Sequence, residues 1–449
     1  MQLAARKLLR RAAGMLPGGP LFVLLLLPAA VSVTAAPARL AFADDTTAIE
    51  ASLYSLPSDF FAVDEAARFL AAARDGAPGR RILVACDSAM CEALSQRLGP
   101  GAIAFLPTSS AFSPWPRDPF LFARGAAGRV VLLARPNTQP GRETDARLAE
   151  WLVSSLPDAL GEPAGGVRVV VSPWPFHGGQ LLQENGRLWL TLHSVERRAL
   201  ALLGFDRVPV ETFADPVGVD RYARAARRAA DELAAMLGRR AEFAHPLPTS
   251  AADGSGPDLF RRLGAAAGRD LDTYLTFLPR PGRTATALVG DLRAGAALAA
   301  SASNESLEEL RRVYDLAPRS EDLRRALLDA QREASDFADY LDLVAAELAR
   351  RGLEVRRLAL LRVPTALLAD RSGVVHPDFL IGWNNVVVER RGGVVCAEGF
   401  ASGWAPGDEA AARVFREGGA TLRLLPPLVH SIVLGGGYRC ASNHLRRAE

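Results

Sequence analysis

Short aliphatic runs separated by amphipathic stretches dominate the pattern of the chain. Residues 81–86 (RILVAC) form an apolar run between polar neighbours and predict a buried strand. A helical period carrying Leu94 and Leu98 follows and stops at Gly99-Pro100. Residues 102–106, 130–134, 167–171 and 188–192 predict further strands, with helices over 144–156 and 221–237. Residues 254–257 read as loop; 275–278 and 284–289 read as strands around a Pro281-Gly282 turn. Ser320 suits the N-cap of one long helix ending near Gly352, with a charged face in water over an apolar stripe. Residues 355–363 return to strand, and 385–389 and 394–397 flank Gly392-Gly393 as a hairpin. A helix over 409–416 and a strand over 422–425 complete the pattern. Strands alternate with helices, hairpins are interspersed and no fixed-period repeat is visible, so the expected class is α/β with mixed sheets.

The first 79 residues read differently. Arg6, Lys7, Arg10 and Arg11 precede a short apolar core over 21–27, which Pro28 interrupts, and Val33-Thr34-Ala35 resembles a small-residue cleavage site. Residues 1–36 are therefore expected to be an export signal, with an uncleaved N-terminal anchor as the alternative and the only route to a membrane. The expected location is periplasmic or secreted. Residues 37–79 are mixed and Ala-rich and read as a lead-in to a domain over 80–449.

Composition changes this picture only by exclusion. With 449 residues, 49% hydrophobic and 23% charged, the chain is globular. A net charge of +3 with no basic cluster excludes a nucleic-acid footprint. The cysteines Cys86, Cys91, Cys396 and Cys440 form no C-x-x-C pair and no metal-ligand spacing. In an exported chain Cys86 and Cys91 could pair; buried free thiols are the favoured reading for Cys86 and Cys396.

Four segments carry candidate chemistry: Trp115-Pro116-Arg117-Asp118-Pro119-Phe120; Phe176-His177-Gly178-Gly179-Gln180; Asp270-Leu271-Asp272-Thr273-Tyr274-Leu275; and Gly435-Gly436-Gly437-Tyr438-Arg439-Cys440-Ala441-Ser442-Asn443. Taken singly each is a weak signal. Together and in this order they resemble the segments of a guanidine-modifying family, and that resemblance implies a guanidinium as the group they meet, which is planar, cationic and rich in N–H donors. Carboxylates such as Asp118 and Asp272 can grip it in forked geometry, and Trp115 can pack on its face. Cys440 can attack its central carbon, and a glycine run lets backbone pass close to the reacting group.

In this order the segments resemble the pentein guanidine-modifying family, which includes arginine, agmatine and protein-arginine deiminases. WPRDPF is similar to the family's first aspartate loop, DLDTYLTFLP to its H-x-D strand, and GGGYRCASN-x-LRR to its nucleophile segment. The last pattern, with HPDFLIGWNNVVVE over 376–389, leans toward the protein-arginine deiminases. The resemblance implies an α/β-propeller of pseudo-fivefold ββαβ modules. It also implies Cys440 as nucleophile, Asp118 and Asp272 as substrate carboxylates, no cofactor, and an arginine-like small molecule or an arginine-containing protein as partner.

One position departs from the family: its catalytic His is Asp270 here, and an ordinary carboxylate is a poor acid at neutral pH. Two readings follow. His177 stands where the resemblance implies a Glu that partners that His, so Glu–His becomes His–Asp with the members exchanged. Alternatively the chain is a guanidine-binding pseudoenzyme. The enzyme reading expects an accessible Cys440 of lowered pKa. Trp383, Asn384 and Asn385 read as packing and turn residues, His444 as a substitute base to be checked, and Arg446 and Arg447 as partners of carboxylates.

Overall fold

The structure is a computed structural model. It describes residues 40–449 except 100, 102, 110–111, 126–127, 137–141, 174, 206–215, 249–262, 265–268, 281, 372–373, 375 and 448–449. The expected export segment, the 254–257 loop, Pro100 and Pro281 lie outside the described residues.

Five small sheets repeat one ladder order. In the first, β1 (Ile49–Ser55), β2 (Arg81–Asp87) and β3 (Ile103–Thr108) run parallel. The second holds β4 (Phe120–Arg124) antiparallel to β5 (Val130–Ala134), which runs parallel to β6 (Val167–Val171). In the third, β7 (Leu182–Glu184), β8 (Arg187–Leu190) and β9 (Arg240–Phe243) follow the same order. So do β10 (Leu275–Leu278), β11 (Thr286–Asp291) and β12 (Glu354–Pro364) in the fourth, with β13 (Asp378–Gly382) added antiparallel to β12. The fifth consists of β14 (Val387–Arg391), β15 (Val394–Phe400) and β16 (Thr421–Leu425). The C-terminal β17 (Ser442–Arg446) then returns to pair antiparallel with β1, giving the first sheet the strand its own segment lacks.

Each sheet therefore holds an antiparallel pair followed by a helical crossover to a parallel strand, the connection that parallel pairing requires. The longest crossover, between β11 and β12, carries four helices. Leu310, Leu323 and Leu327 from these helices bury with Leu361, whereas Phe337, Leu341 and Val344 bury with Leu360, so neighbouring residues of β12 feed opposite cores.

Several expectations are corrected. The segment read as a lead-in holds β1, a central strand between β17 and β2, and the helix Val63–Gly76. Its sequence IEASLYS is buried on both faces, so it lacks the alternation that marks a half-exposed strand. Cys86 and Cys91 are a disulfide, not free thiols: the helix Ser88–Leu98 starts directly after β2 and folds its first turn back, leaving the two Cα atoms 5.5 Å apart. The long helix expected from Ser320 is two, Ser320–Glu333 and Ser335–Arg350, broken at Ala334, and its N-cap is Arg319. The helix expected over 144–156 is three short pieces, Asp145–Arg147, Leu148–Leu152 and Leu156–Leu160. Among the described residues no helix is long and apolar enough to cross a membrane.

Candidate functional site

The candidate residues sit on the connections between sheets. Trp115 and Asp118 lie between β3 and β4, His177 between β6 and β7, and Asp270 and Asp272 between β9 and β10. Asn385 lies between β13 and β14, and Cys440 between β16 and β17. Each connection touches the next. His177 Nε2 is 3.3 Å from Asp118 Oδ2, and its Nδ1 is 3.1 Å from Asp270 Oδ1. The Asn385 amide nitrogen donates to Asp272 Oδ1 at 2.8 Å and to Cys440 Sγ at 3.1 Å. Trp115 Nε1–H donates to Ser431 Oγ at 3.1 Å, which closes the ring.

Glycine is what allows these approaches. A Cβ on Gly436 would stand 2.0 Å from Trp115 Nε1, and one on Gly179 would stand 2.4 Å from Asp270 Oδ2. The adjoining Tyr438 anchors the nucleophile segment from below. Its hydroxyl donates to Glu398 at 3.0 Å, and Glu398 is held by the buried Arg80 at 2.6 Å.

Cys440 is buried, its sulfur 3.7 Å from Asp272 Oδ1. Burial pushes the thiol well above its usual range, Asp272, Asp270 and Asp118 push it the same way, and the Asn385 hydrogen bond opposes them. The enzyme reading expects an accessible, low-pKa thiolate; burial first, and then three nearby carboxylates, work against one in the free protein.

The two expected substrate carboxylates are already partnered by arginines of the chain. Asp272 Oδ2 accepts from Arg439 Nη1 at 2.7 Å, and burial, working against that arginine, lifts its carboxyl to about 6. Asp118 Oδ2 accepts from Arg142 Nη1 at 2.8 Å. Burial opposes the charge on Asp118, but His177 and Arg142 outweigh it and hold the carboxyl well below its usual range. Asp118 Oδ1 is buried with no hydrogen-bond partner among the described residues. Trp115 stacks under Arg142, whose guanidinium carbon lies 4.9 Å from the ring centre.

His177 stands between Asp118 and Asp270. Its Nδ1 is at ion-pair distance from Asp270 without hydrogen-bond alignment. Burial would strip its proton, but the two carboxylates prevail and raise its pKa well above the ordinary value. Asp118, His177 and Asp270 each place an atom within 4.8 Å of the others; so do Asp270, Asp272 and Cys440, making Asp270 common to both groups.

Sequence reasoning missed Asn385, Asp45, Arg142 and Arg439. Asn385 also accepts from the backbone N–H groups of Arg439 at 2.7 Å and Cys440 at 3.2 Å, so it is a site residue and not merely a turn residue. Asp45, from the supposed lead-in, accepts from Arg439 Nη2 at 2.7 Å. Burial disfavours its charge, yet Arg439, Arg117 and Arg446 bring its carboxyl down to about 2. His444 is no substitute base: it is buried on β17 between Ser52 and Ser442, and burial and nearby arginines push its pKa well down. Arg446 holds the backbone carbonyls of Thr47 and Val388, not the expected carboxylates.

The fold is shared with known structures. The chain is similar to the Cys-to-Ser variant of C. jejuni agmatine deiminase with substrate bound, at 11% identity and TM-score 0.52, covering 91% of this chain and 96% of that one. It is similar to the agmatine deiminase of Enterococcus faecalis, at 11% identity and TM-score 0.52 over the same shares. A protein provisionally assigned as a peptidyl-arginine deiminase matches at 12% identity and TM-score 0.53, over 91% of this chain and 99% of that one. The chain has the fold of the pentein guanidine-modifying enzymes. No protein-family profile and no curated protein matches it by sequence.

Proposed function

We propose that this chain is a deiminase-type hydrolase that converts the guanidine of arginine, or of an arginine-like compound including peptidyl arginine, to a ureido group. The five linked connections are then the centre of a pseudo-fivefold propeller. The observation that carries the reading is the Cys440 sulfur beside Asp272, with Asp270 joining it to the His177–Asp118 pair.

In this scheme a bound guanidinium offsets the carboxylates that hold the thiol protonated, and the thiol proton passes to Asp270. Sγ attacks the guanidinium carbon. His177, kept as an imidazolium, gives its proton to the departing nitrogen, the C–N bond breaks and ammonia leaves. Water then adds to the carbon with His177 as base, the C–S bond breaks, the hydroxyl proton passes through solvent to the departed ammonia, and the thiol regains its proton from Asp270. One guanidinium and one water become one ureido group and one ammonium. His177 and Asp270 thus exchange the places of the family's acid–base pair.

The test is ammonia and citrulline release from arginine, agmatine and an arginine-containing peptide, with Cys440→Ala as control. Ureido product that the control abolishes is the expected result; no product from any guanidine overturns the hydrolase reading. A second reading, a guanidine-binding protein without turnover, is favoured by the buried, high-pKa Cys440 and by Arg439 already on Asp272. It requires guanidine binding with no product. For localisation we propose export: the Cys86–Cys91 disulfide suits an oxidising compartment, in line with the N-terminal pattern.

A further inference from the structure

A guanidinium already lies in the site, and it belongs to the chain. Arg142 Nη1 donates to Asp118 Oδ2 at 2.8 Å, Nε to Asp145 Oδ2 at 2.7 Å, and Nη2 to Ser113 Oγ at 2.7 Å. Nη2 also stands 2.6 Å from Asp145 Oδ2, and Trp115 covers one face of the group. Two carboxylates, a hydroxyl and an aromatic face are the partners a planar, five-donor cation needs, and a point-charge ammonium would use them poorly. Asp145 is itself buried and accepts from the Ser113 backbone N–H at 2.8 Å, so the cradle is held together from behind.

Two of these four groups, Trp115 and Asp118, are the ones sequence reasoning assigns to the substrate. The two arginines in the site differ in one respect that matters. The Arg439 side chain is 4% exposed and enclosed; that of Arg142 is 19% exposed and reaches solvent. Arg142 can leave without opening the core.

We propose that Ser113, Trp115, Asp118 and Asp145 form a guanidinium-binding subsite within the candidate site, occupied in the free protein by Arg142. An arginine-like ligand takes this subsite only when Arg142 vacates it. The proposal rests on the guanidine-binding reading above and adds to it a resident competitor. A binding-competent state that is only partly populated weakens the apparent affinity by its own fraction. Removing the competitor therefore tightens binding.

The experiment is calorimetric titration of agmatine and of N-acetyl-arginine amide into Cys440→Ala protein, with and without Arg142→Ala. The expected result is binding tighter by about fivefold or more in the double variant, a coupling of ordinary size, with Arg142→Lys intermediate. Should Arg142→Ala not fold by circular dichroism, Arg142→Gln replaces it, since it removes the charge and keeps a donor for Asp118. Equal or weaker binding without Arg142 overturns the proposal and leaves a guanidine site in which Arg142 merely orients Asp118. No binding by any variant overturns this proposal and the guanidine reading together.

Discussion

The two carboxylates assigned to the substrate, Asp272 and Asp118, are alike in sequence and unlike in the folded chain. Asp272 is enclosed: Arg439 takes one oxygen, Asn385 the other, and its carboxyl is lifted to about 6. Asp118 shares one oxygen between His177 and Arg142, leaves the other unpartnered among the described residues, and is held strongly acidic. Burial dominates at the first and neighbouring positive charge at the second. One half of the site is scaffold, whose ion pair keeps the nucleophile segment in place; the other is arranged around a cation that can be exchanged.

The largest effect expected from this contrast is on stability. Arg439→Ala leaves the buried Asp272 and the half-buried Asp45 without their shared partner and should cost about 3–5 kcal/mol in urea unfolding at neutral pH. Arg142→Ala, which removes a more exposed partner, should cost no more than about 2 kcal/mol. Equal costs would erase the distinction between the halves.

Next in size is Asn385→Ala. It removes donors to Asp272 and Cys440 and an acceptor for two backbone N–H groups, so a loss of about 2–3 kcal/mol is expected. Because the Asn385 hydrogen bond alone among the main influences lowers the Cys440 pKa, the pH profile of thiol alkylation should move further alkaline. A profile that stays in place would show that Asn385 serves only the backbone.

The smallest effect is a pH dependence on the open side. The folded pKa of His177 lies above its unfolded value, so its contribution is fully present below about 6.5 and is lost as pH rises through the folded value. The stability gap between wild type and His177→Asn should therefore be widest near pH 5.5 and narrow in the alkaline range. A gap that widens with pH would mean that the ring is neutral between its two carboxylates. It would then be unable to protonate a leaving group.

Much of the candidate site was legible before the structure, for a physical reason. Trp115, Asp118, His177, Asp272 and Cys440 stand beside glycines, prolines or short acid motifs, because connections that bring backbones this close need such residues. Asn385 belongs to the same set but sits before a hairpin strand, where an Asn reads as a turn. The signal that could have found it is positional. Four connections carried candidate chemistry, and the fifth joins β13 to β14. Asp45 gave no signal, since its role depends on an arginine 394 residues away. The first and last strands were missed because β1 is buried on both faces and β17 buries Ser442, Asn443, His444 and Arg446 through hydrogen bonds, so neither shows an amphipathic period.

From the order of residues alone came the α/β class, most of the interior strands, and the likeness to guanidine-modifying enzymes, because apolar period and local motif are properties of neighbours in the chain. Only the folded chain decided that Cys440 is buried and high in pKa, that Cys86 bonds Cys91, and that Arg439 and Arg142 already hold the two carboxylates. Burial and Coulomb attraction depend on distance in space: Arg439 and Asp272 meet across 167 residues, and even Cys86 and Cys91, five apart, meet only because the helix after β2 turns back.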